Sequence, residues 1–174
     1  AFSALLKPKS ISKSIDGLHK KFENEEEVLE LFEAIDGSKN DENVLGFLNY
    51  KKIKEGKMCR HIVCVLPYCA SCDALEELIK NNKDKFKNLK DYKIINISGT
   101  DISSKYNKIS KIKNTIRECE EENIKTLTLT VNRMLTGSTV EQWDTMIYLK
   151  DTSSPQEYDQ AIFRLQNQYI KEYT

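Results

Sequence analysis

The feature that most constrains the fold is a regular alternation of strand-like and helix-like segments that begins near residue 60. The segments HIVCVL, YKIINIS, KTLTLTV and TMIYLK are rich in β-branched residues, which is typical of strands. The first three are separated by two amphipathic stretches whose apolar side chains recur at helical spacing. Strands separated by helices of ten or more residues pair in parallel through right-handed crossovers. The sequence therefore predicts an α/β fold, an open and mostly parallel sheet flanked by helices.

Residues 1–58 have a different character and predict a helical and loop-containing appendage. The segment NEEEVLELFEAIDG predicts a helix that Asn24 caps, that Glu27 stabilises through a capping box, and that Gly37 ends. The buried stripe of this helix would consist of Val28, Leu31, Phe32 and Ile35. Residues 38–58 are polar and lysine-rich, which indicates a loop. We therefore expect a linker or accessory appendage over residues 1–58 and a core domain over residues 59–174.

Charge and hydropathy exclude several classes of protein. The 27 basic and 27 acidic residues cancel, so the net charge predicts no strong sequence-independent attraction to nucleic acid. Lysines cluster over residues 80–93 and 105–113, and we interpret these clusters as solvated faces. The mean hydropathy is −0.57, and no apolar run approaches the roughly 20 residues of a membrane-spanning helix. Neither a membrane segment nor a secretory signal is predicted.

Five cysteines without a secretory signal indicate a reducing, cytoplasmic environment. Four of them lie close together, but they do not form the two short-spaced pairs of a zinc ribbon, and Cys64 falls in an apolar run. No metal site is predicted. Cys69 and Cys72 follow a strand and open a helix, as in thioredoxin-like thiol oxidoreductases, where the helix amino terminus lowers the pKa of the first thiol. The W-C-G-P-C sequence is missing, and this enzyme class remains an alternative.

Functional loops of an open α/β sheet lie beyond the carboxyl ends of its strands. Residues 132–144 follow the third predicted strand, which ends near Thr130. This connection contains several hydroxyl side chains, among them Thr136, and Gly137 permits backbone conformations that other residues resist. Hydroxyls and loop amides suit the oxygens of a phosphate chain. An ordinary polar crossover explains the same residues, so both interpretations stay open at this point.

The last predicted helix begins at a capping box with proline at its first position, formed by Ser154, Pro155 and Glu157. Gln160 and Arg164 lie four residues apart on one face of this helix. A single arginine beside apolar surface either extends its head into water or is directed at an anion.

Taken together, this connection and this helix resemble motifs V and VI of superfamily 2 helicases. The resemblance lies in the T-x-x-x-x-x-T-G pattern of the connection and the Q-x-x-x-R pattern of the helix. It extends over roughly residues 60–170 and implies the carboxyl-terminal RecA-like domain of such an enzyme. The chain is most similar to helicase-like subunits of restriction-modification systems, whose TVN…TTG…W pattern is similar to TVNRMLTGSTVEQW.

The resemblance implies roles for individual residues. Thr130, Thr136 and Gly137 would contact the nucleic-acid backbone, and Gly137 would also adjoin the nucleotide. Gln160 and Arg164 would face ATP, with Arg164 directed at the γ-phosphate as a catalytic residue. The implied function is that of the second motor domain of an ATP-dependent DNA helicase or translocase.

Several partners follow from this resemblance. The sequence contains no G-x-x-x-x-G-K-[ST] loop, so ATP and Mg²⁺ would be held chiefly by an amino-terminal RecA-like domain of the same polypeptide. We expect the chain to hydrolyse no ATP on its own. The DNA backbone, and nuclease or methyltransferase subunits, are the further partners. The chain departs from the helicase motifs at Thr139, Phe163 and Asn167, which leaves a catalytically silent interaction module as an alternative.

Overall fold

The computed structural model describes residues 2–9, 13–14, 17–18, 21–37, 59–97, 109–131 and 140–150. Its helices are α1 (Phe2–Leu5), α2 (Glu25–Asp36), α3 (Cys69–Asn81) and α4 (Ile109–Glu121). Its strands are β1 (Lys13–Ser14), β2 (Gly17–Leu18), β3 (His61–Val65), β4 (Lys93–Asn96), β5 (Thr126–Thr130) and β6 (Thr145–Tyr148). Two 3₁₀ turns, Lys83–Lys85 and Leu89–Asp91, connect α3 to β4.

The main sheet has four strands in the order β4-β5-β3-β6, and every neighbouring pair is parallel. This arrangement confirms the predicted α/β fold. In the register, Thr126 at the start of β5 lies beside His61 of β3 and Lys93 of β4. Strands β1 and β2 form a separate antiparallel pair.

The two faces of the sheet pack against different helices. Ile62 and Cys64 of β3 belong to the core that contains α2 and α3, whereas Val63 and Val65 belong to the core that contains α4. Side chains of a strand alternate between faces, so one strand supplies both cores. All five residues of β3 are buried, as is typical of a strand in a parallel sheet covered on both sides.

Helix α2 largely follows the sequence prediction. The core residues of its stripe are Val28, Phe32 and Ile35, and Leu31 is partly buried. Gly37 ends the helix at φ 80°, the left-handed conformation that glycine adopts without a steric penalty. Asn24 occupies the cap position, but its side chain makes no capping hydrogen bond. The capping role predicted for its side chain is therefore wrong. The side-chain amide N–H of Asn24 donates to the carbonyl oxygen of Ala4 at 3.3 Å.

The carboxyl end of α2 is fixed to the connection between α3 and β4 by a buried carboxylate. Asp36 is fully buried and accepts the backbone N–H groups of Lys87 at 2.9 Å, Asn88 at 3.2 Å and Leu89 at 2.7 Å. The Asn88 side chain returns a hydrogen bond to the Asp36 carbonyl oxygen at 2.8 Å. Helix α2 thus shares a core and a polar contact with the sheet domain, and the division of the chain at residue 58 stays a prediction.

The second amphipathic stretch, between the second and third predicted strands, forms α4, in which Ile112, Ile116 and Cys119 are buried. The helix predicted from Pro155 lies outside the described residues. No helix in the described part of the chain combines the length and the apolar character that crossing a bilayer requires.

Candidate functional site

The carboxyl edge of the sheet contains a topological switch point between the neighbouring strands β3 and β5. After β3 the chain passes to α3 on one face, whereas Val140 and Trp143, which follow β5, pack with α4 on the other face. The chain therefore leaves two adjacent strands in opposite directions. In open α/β sheets, ligands bind in the crevice that such a divergence creates.

Thr130 is the last residue of β5 and lies at this switch point. Its side chain is fully buried, and its carbonyl oxygen accepts the N–H of Leu66, just beyond β3, at 2.8 Å. On the far side of β3, the N–H of Leu149 donates to the carbonyl oxygen of Val65 at 2.8 Å. These bonds extend the ladder past the strand ends and hold the strand ends at the switch point in register.

Lys150 places a cation beside the start of the connection that follows β5. Its Nζ donates to the carbonyl oxygen of Val131 at 3.3 Å, and the side chain is partly buried. Sequence reasoning missed this residue. The available signal was its position as the last residue of the predicted fourth strand TMIYLK, at the functional edge of the sheet.

Of the five predicted site residues, only Thr130 is among the described residues. Thr136, Gly137, Gln160 and Arg164 lie outside them. Their roles therefore remain predictions.

A second polar group on the carboxyl edge links β4 to α3. The Asn96 side-chain amide, at the end of β4, donates to Asp73 Oδ1 at 2.8 Å and to Glu76 Oε1 at 3.4 Å. Glu76 also pairs with Lys80 at 2.8 Å. These contacts join the end of β4 to the first turns of α3, so we assign this group a structural role in holding the two elements together.

The two cysteines at the start of α3 differ in environment. Cys69 is exposed, whereas Cys72 is buried. Burial raises the pKa of the Cys72 thiol, and it does the same to the pKa of Cys64. The thiolate is the reactive form, so the buried, protonated Cys72 is unreactive in this conformation, and the thiol oxidoreductase alternative stays open. Within the described part of the chain, no group of three or more His, Cys, Asp or Glu side chains could hold a metal ion.

The amino edge of the sheet carries a buried polar cluster around His61. Nδ1 of His61 lies 2.9 Å from Thr126 Oγ1, and Nε2 contacts the Glu120 carboxylate. The same carboxylate pairs with the Arg60 guanidinium at 2.6 Å. Burial lowers the pKa of His61, and the contact with Glu120 partly opposes that shift. We infer that the imidazole is neutral at pH 7, accepting from Thr126 and donating to Glu120.

Asp144 completes this cluster from the start of β6. Its carboxylate accepts the backbone N–H of Arg60 at 2.9 Å, the N–H of His61 at 3.3 Å and the Thr145 hydroxyl at 2.9 Å. Burial raises the pKa of Asp144 to about 6, despite these hydrogen bonds. The carboxylate thus extends the hydrogen bonding between β3 and β6 to the residues that precede the two strands.

Thr126, His61 and Glu120 are connected in the order of a nucleophile, a base and an orienting carboxylate. Thr126, however, is fully buried, and a nucleophile must reach its substrate. The cluster also lies at the edge of the sheet opposite the switch point. It therefore ties the end of α4 to the starts of β3 and β5 and is structural.

Comparison with known proteins gives one informative similarity. The chain is 32% identical over 172 residues to a protein of Mycoplasma pneumoniae provisionally named as the C-terminus of a type II restriction enzyme and methyltransferase. The match covers 98% of this chain but only 23% of that protein's length. No family model matches the chain, and no solved structure matches it. Along nearly its whole length, the chain is therefore similar to part of a protein named for restriction and modification, and that name refers to no helicase.

Proposed function

We propose that this chain is an α/β domain of a cytoplasmic restriction-modification enzyme that acts on DNA. The observation that carries the proposal is the 32% identity that spans 98% of the chain. Similarity of this extent covers the whole sheet and both flanking layers rather than a local motif. The chain spans only 23% of that relative's length, so the activity of a whole restriction-modification enzyme is part of this proposal.

Within that enzyme, the proposed role is the second motor domain of an ATP-dependent helicase or translocase. Two features support this assignment. The sheet is parallel with a switch point beside β5, and the T-x-x-x-x-x-T-G segment begins at the last residue of β5. A loop leaving this rim is well placed to contact a phosphate-bearing ligand.

The residues divide into anchoring and contacting roles in this proposal. The helicase resemblance implies that Thr130 contacts the nucleic-acid backbone. Because Thr130 has no exposed surface, we assign it instead the role of fixing the strand end from which the loop departs. Thr136 and Gly137 would meet the DNA backbone, and Lys150 adds a positive charge beside the loop's first residues. Gln160 and Arg164 would face ATP bound by the neighbouring domain.

Hydrolysis requires parts that these 174 residues do not contain. A lysine-bearing phosphate loop and a Mg²⁺-holding acid would come from an amino-terminal RecA-like domain. Arg164 would complete that site, a contribution worth about 10³–10⁵ in rate. Nuclease or methyltransferase subunits would act on the same DNA.

The test is DNA-stimulated ATP hydrolysis by the natural polypeptide that contains this chain. Arg164→Ala is expected to lower kcat by about 10³-fold or more, with nucleotide binding retained. The matched control is Arg117→Ala, since Arg117 is exposed on α4 and its guanidinium donates to Asn114 on the same helix. Unchanged hydrolysis in Arg164→Ala would rule out the motor role.

A second measurement separates the two levels of the proposal. Restriction and methylation of plasmid DNA are assayed with and without this domain in the polypeptide. If both activities need the domain while ATP hydrolysis is undetectable, the chain is a restriction-modification domain without motor function. If neither activity depends on it, the broader assignment fails as well.

A further inference from the structure

The amino edge of the sheet carries a concentrated positive charge. Helix α3 runs antiparallel to the strands, so the two 3₁₀ turns between its end and β4 lie at this edge. Residues 80–93 contain six lysines and two aspartates, a net charge of +4 from 6 − 2, whereas the whole chain has a net charge of 0. All six lysines are exposed, and we define the lysine patch as four of them, Lys83, Lys85, Lys90 and Lys93.

The backbone that presents the lysine patch is rigidly anchored. Phe86, Leu89 and Tyr92 alternate with the lysines and are buried in the core, at 1%, 1% and 6% exposure. The fully buried Asp36 carboxylate accepts three consecutive backbone N–H groups from the middle of the segment. Because the backbone is already ordered, little conformational entropy is lost there when an anion binds.

The positive charge continues from β4 onto the neighbouring strand. Lys93 is the first residue of β4, and its N–H donates to the carbonyl oxygen of Lys125, which immediately precedes β5, at 2.9 Å. Nζ of Lys125 lies 5.1 Å from the centroid of the Tyr92 ring. Adjacent strands are about 4.8 Å apart, so the backbones of Lys93 and Lys125 lie side by side at one end of the sheet.

Acidic residues also lie at this edge of the sheet. The carboxyl end of α4 reaches it from the opposite face, and Glu118, Glu121 and the following Glu122 are exposed. The lysine patch lies on β4 and the turns that follow α3, so a polyanion would approach from that side. Within residues 80–93, Asp84 and Asp91 are the acidic positions, and both are exposed among a larger number of lysines.

We propose that the lysine patch binds the phosphate backbone of duplex DNA without sequence selectivity. The choice of DNA as the polyanion rests on the proposed function. Lysine is depleted from protein–protein interfaces, whereas lysine contacts to phosphate are a principal source of non-specific DNA affinity. The patch lies at the edge opposite the switch point, so it holds DNA independently of the crevice residues.

The experiment measures anisotropy of a fluorescein-labelled duplex of about 30 base pairs, titrated with the 174-residue protein at several salt concentrations. The patch variant is K83Q/K85Q/K90Q/K93Q. The matched control, K7Q/K21Q/K111Q/K113Q, removes the same charge from four exposed lysines elsewhere. Circular dichroism and urea unfolding verify that both variants fold.

We expect the patch variant to bind about 10-fold or more weakly at low salt, and the control to bind within about twofold of the unmodified protein. The slope of log K against log salt should fall by about 0.9 for each phosphate that the variant no longer neutralises. Equal binding by the patch variant and the control would overturn the proposal, and so would a folded unmodified protein that binds no DNA.

Two further arms separate the alternatives. Polyglutamate of matched charge serves as a competitor: if it displaces DNA as well as unlabelled duplex does, the partner is an acidic polypeptide and the DNA assignment is wrong. The Arg164→Ala measurement of ATP hydrolysis does not depend on the patch. If the patch variant binds DNA as well as the control does, while Arg164→Ala still lowers ATP hydrolysis, this inference is refuted and the proposed function stands.

Discussion

His61 and Asp144 hydrogen-bond each other in both directions at the amino ends of β3 and β6. The His61 N–H donates to Asp144 Oδ1 at 3.3 Å, and the Asp144 N–H donates to the His61 carbonyl oxygen at 3.0 Å. The two residues are 83 positions apart in sequence, and they close the ladder where the strands begin. Both are titratable and buried, so this junction should make stability depend on pH.

Protonation of the Asp144 carboxylate should stabilise the folded state as the pH falls. Its pKa is raised to about 6, so between pH 7 and pH 4 the folded protein takes up a proton more readily than the unfolded chain. We expect the stability of the unmodified protein relative to Asp144→Asn to increase by about 1 kcal/mol from pH 7 to pH 5. Urea unfolding of both proteins at the two pH values measures this difference. A difference that shrinks as the pH falls would contradict the buried-carboxylate argument.

His61 should act in the opposite direction. Its pKa is lowered, chiefly by burial, so the stability contributed by the neutral imidazole is present at pH 7 and is lost as the pH falls below the unfolded value of 6.5. We therefore expect the stability advantage of the unmodified protein over His61→Gln to decrease between pH 7 and pH 5. The same unfolding experiments test it. NMR titration of the His61 ring provides the control, since a pKa above 6.5 would reverse the predicted sign.

Asp36 should contribute strongly to stability because its carboxylate serves three backbone N–H groups at once. Asp36→Ala would leave buried donors without that acceptor, and each such group costs about 1–3 kcal/mol. We expect a decrease of about 3 kcal/mol or more in the free energy of unfolding, and a smaller decrease for Asp36→Asn, which keeps one side-chain oxygen. Equal decreases in the two variants would show that packing rather than hydrogen bonding dominates.

The cysteines should differ in reactivity in the native protein. Cys69 is exposed, whereas Cys64 and Cys72 are buried with raised pKa values. We expect iodoacetamide to label Cys69 under native conditions and to label Cys64 and Cys72 only after unfolding. Peptide mass spectrometry with and without urea makes the comparison. Rapid native labelling of Cys72 would contradict its burial.

Much of the fold was predictable because its signals are local. The β-branched run at His61–Val65 and the helical spacing of Ile112 and Ile116 are properties of short segments, and the parallel order follows from the helices between strands. The left-handed cap at Gly37 was predictable for the same reason. The Asn24 side chain contacts the carbonyl oxygen of residue 4, and no local rule contains this contact.

The polar junctions were not predictable, because each joins residues far apart in sequence. Asp36 and Leu89 are separated by 53 positions, and His61 and Glu120 by 59. Hydrophobic periodicity determines which side chains turn inward, but it does not determine which buried donor meets which acceptor. Of the candidate site, the placement of Thr130 at a strand end followed from the sequence, whereas the contact of Lys150 with Val131 required the three-dimensional register.

The chain leaves β3 and β5 toward opposite faces of the sheet, and the strands themselves are held firmly in register. Strand β3 is hydrogen-bonded on both sides, and its registers with β5 and β6 are fixed by ladder bonds that continue past the strand ends. We therefore expect changes in the length of the connection after residue 131 to leave the registers of β3 with β5 and β6 unchanged. Insertions and deletions at the switch point would then alter ligand contacts while the scaffold stays constant, which gives related domains a route to new targets.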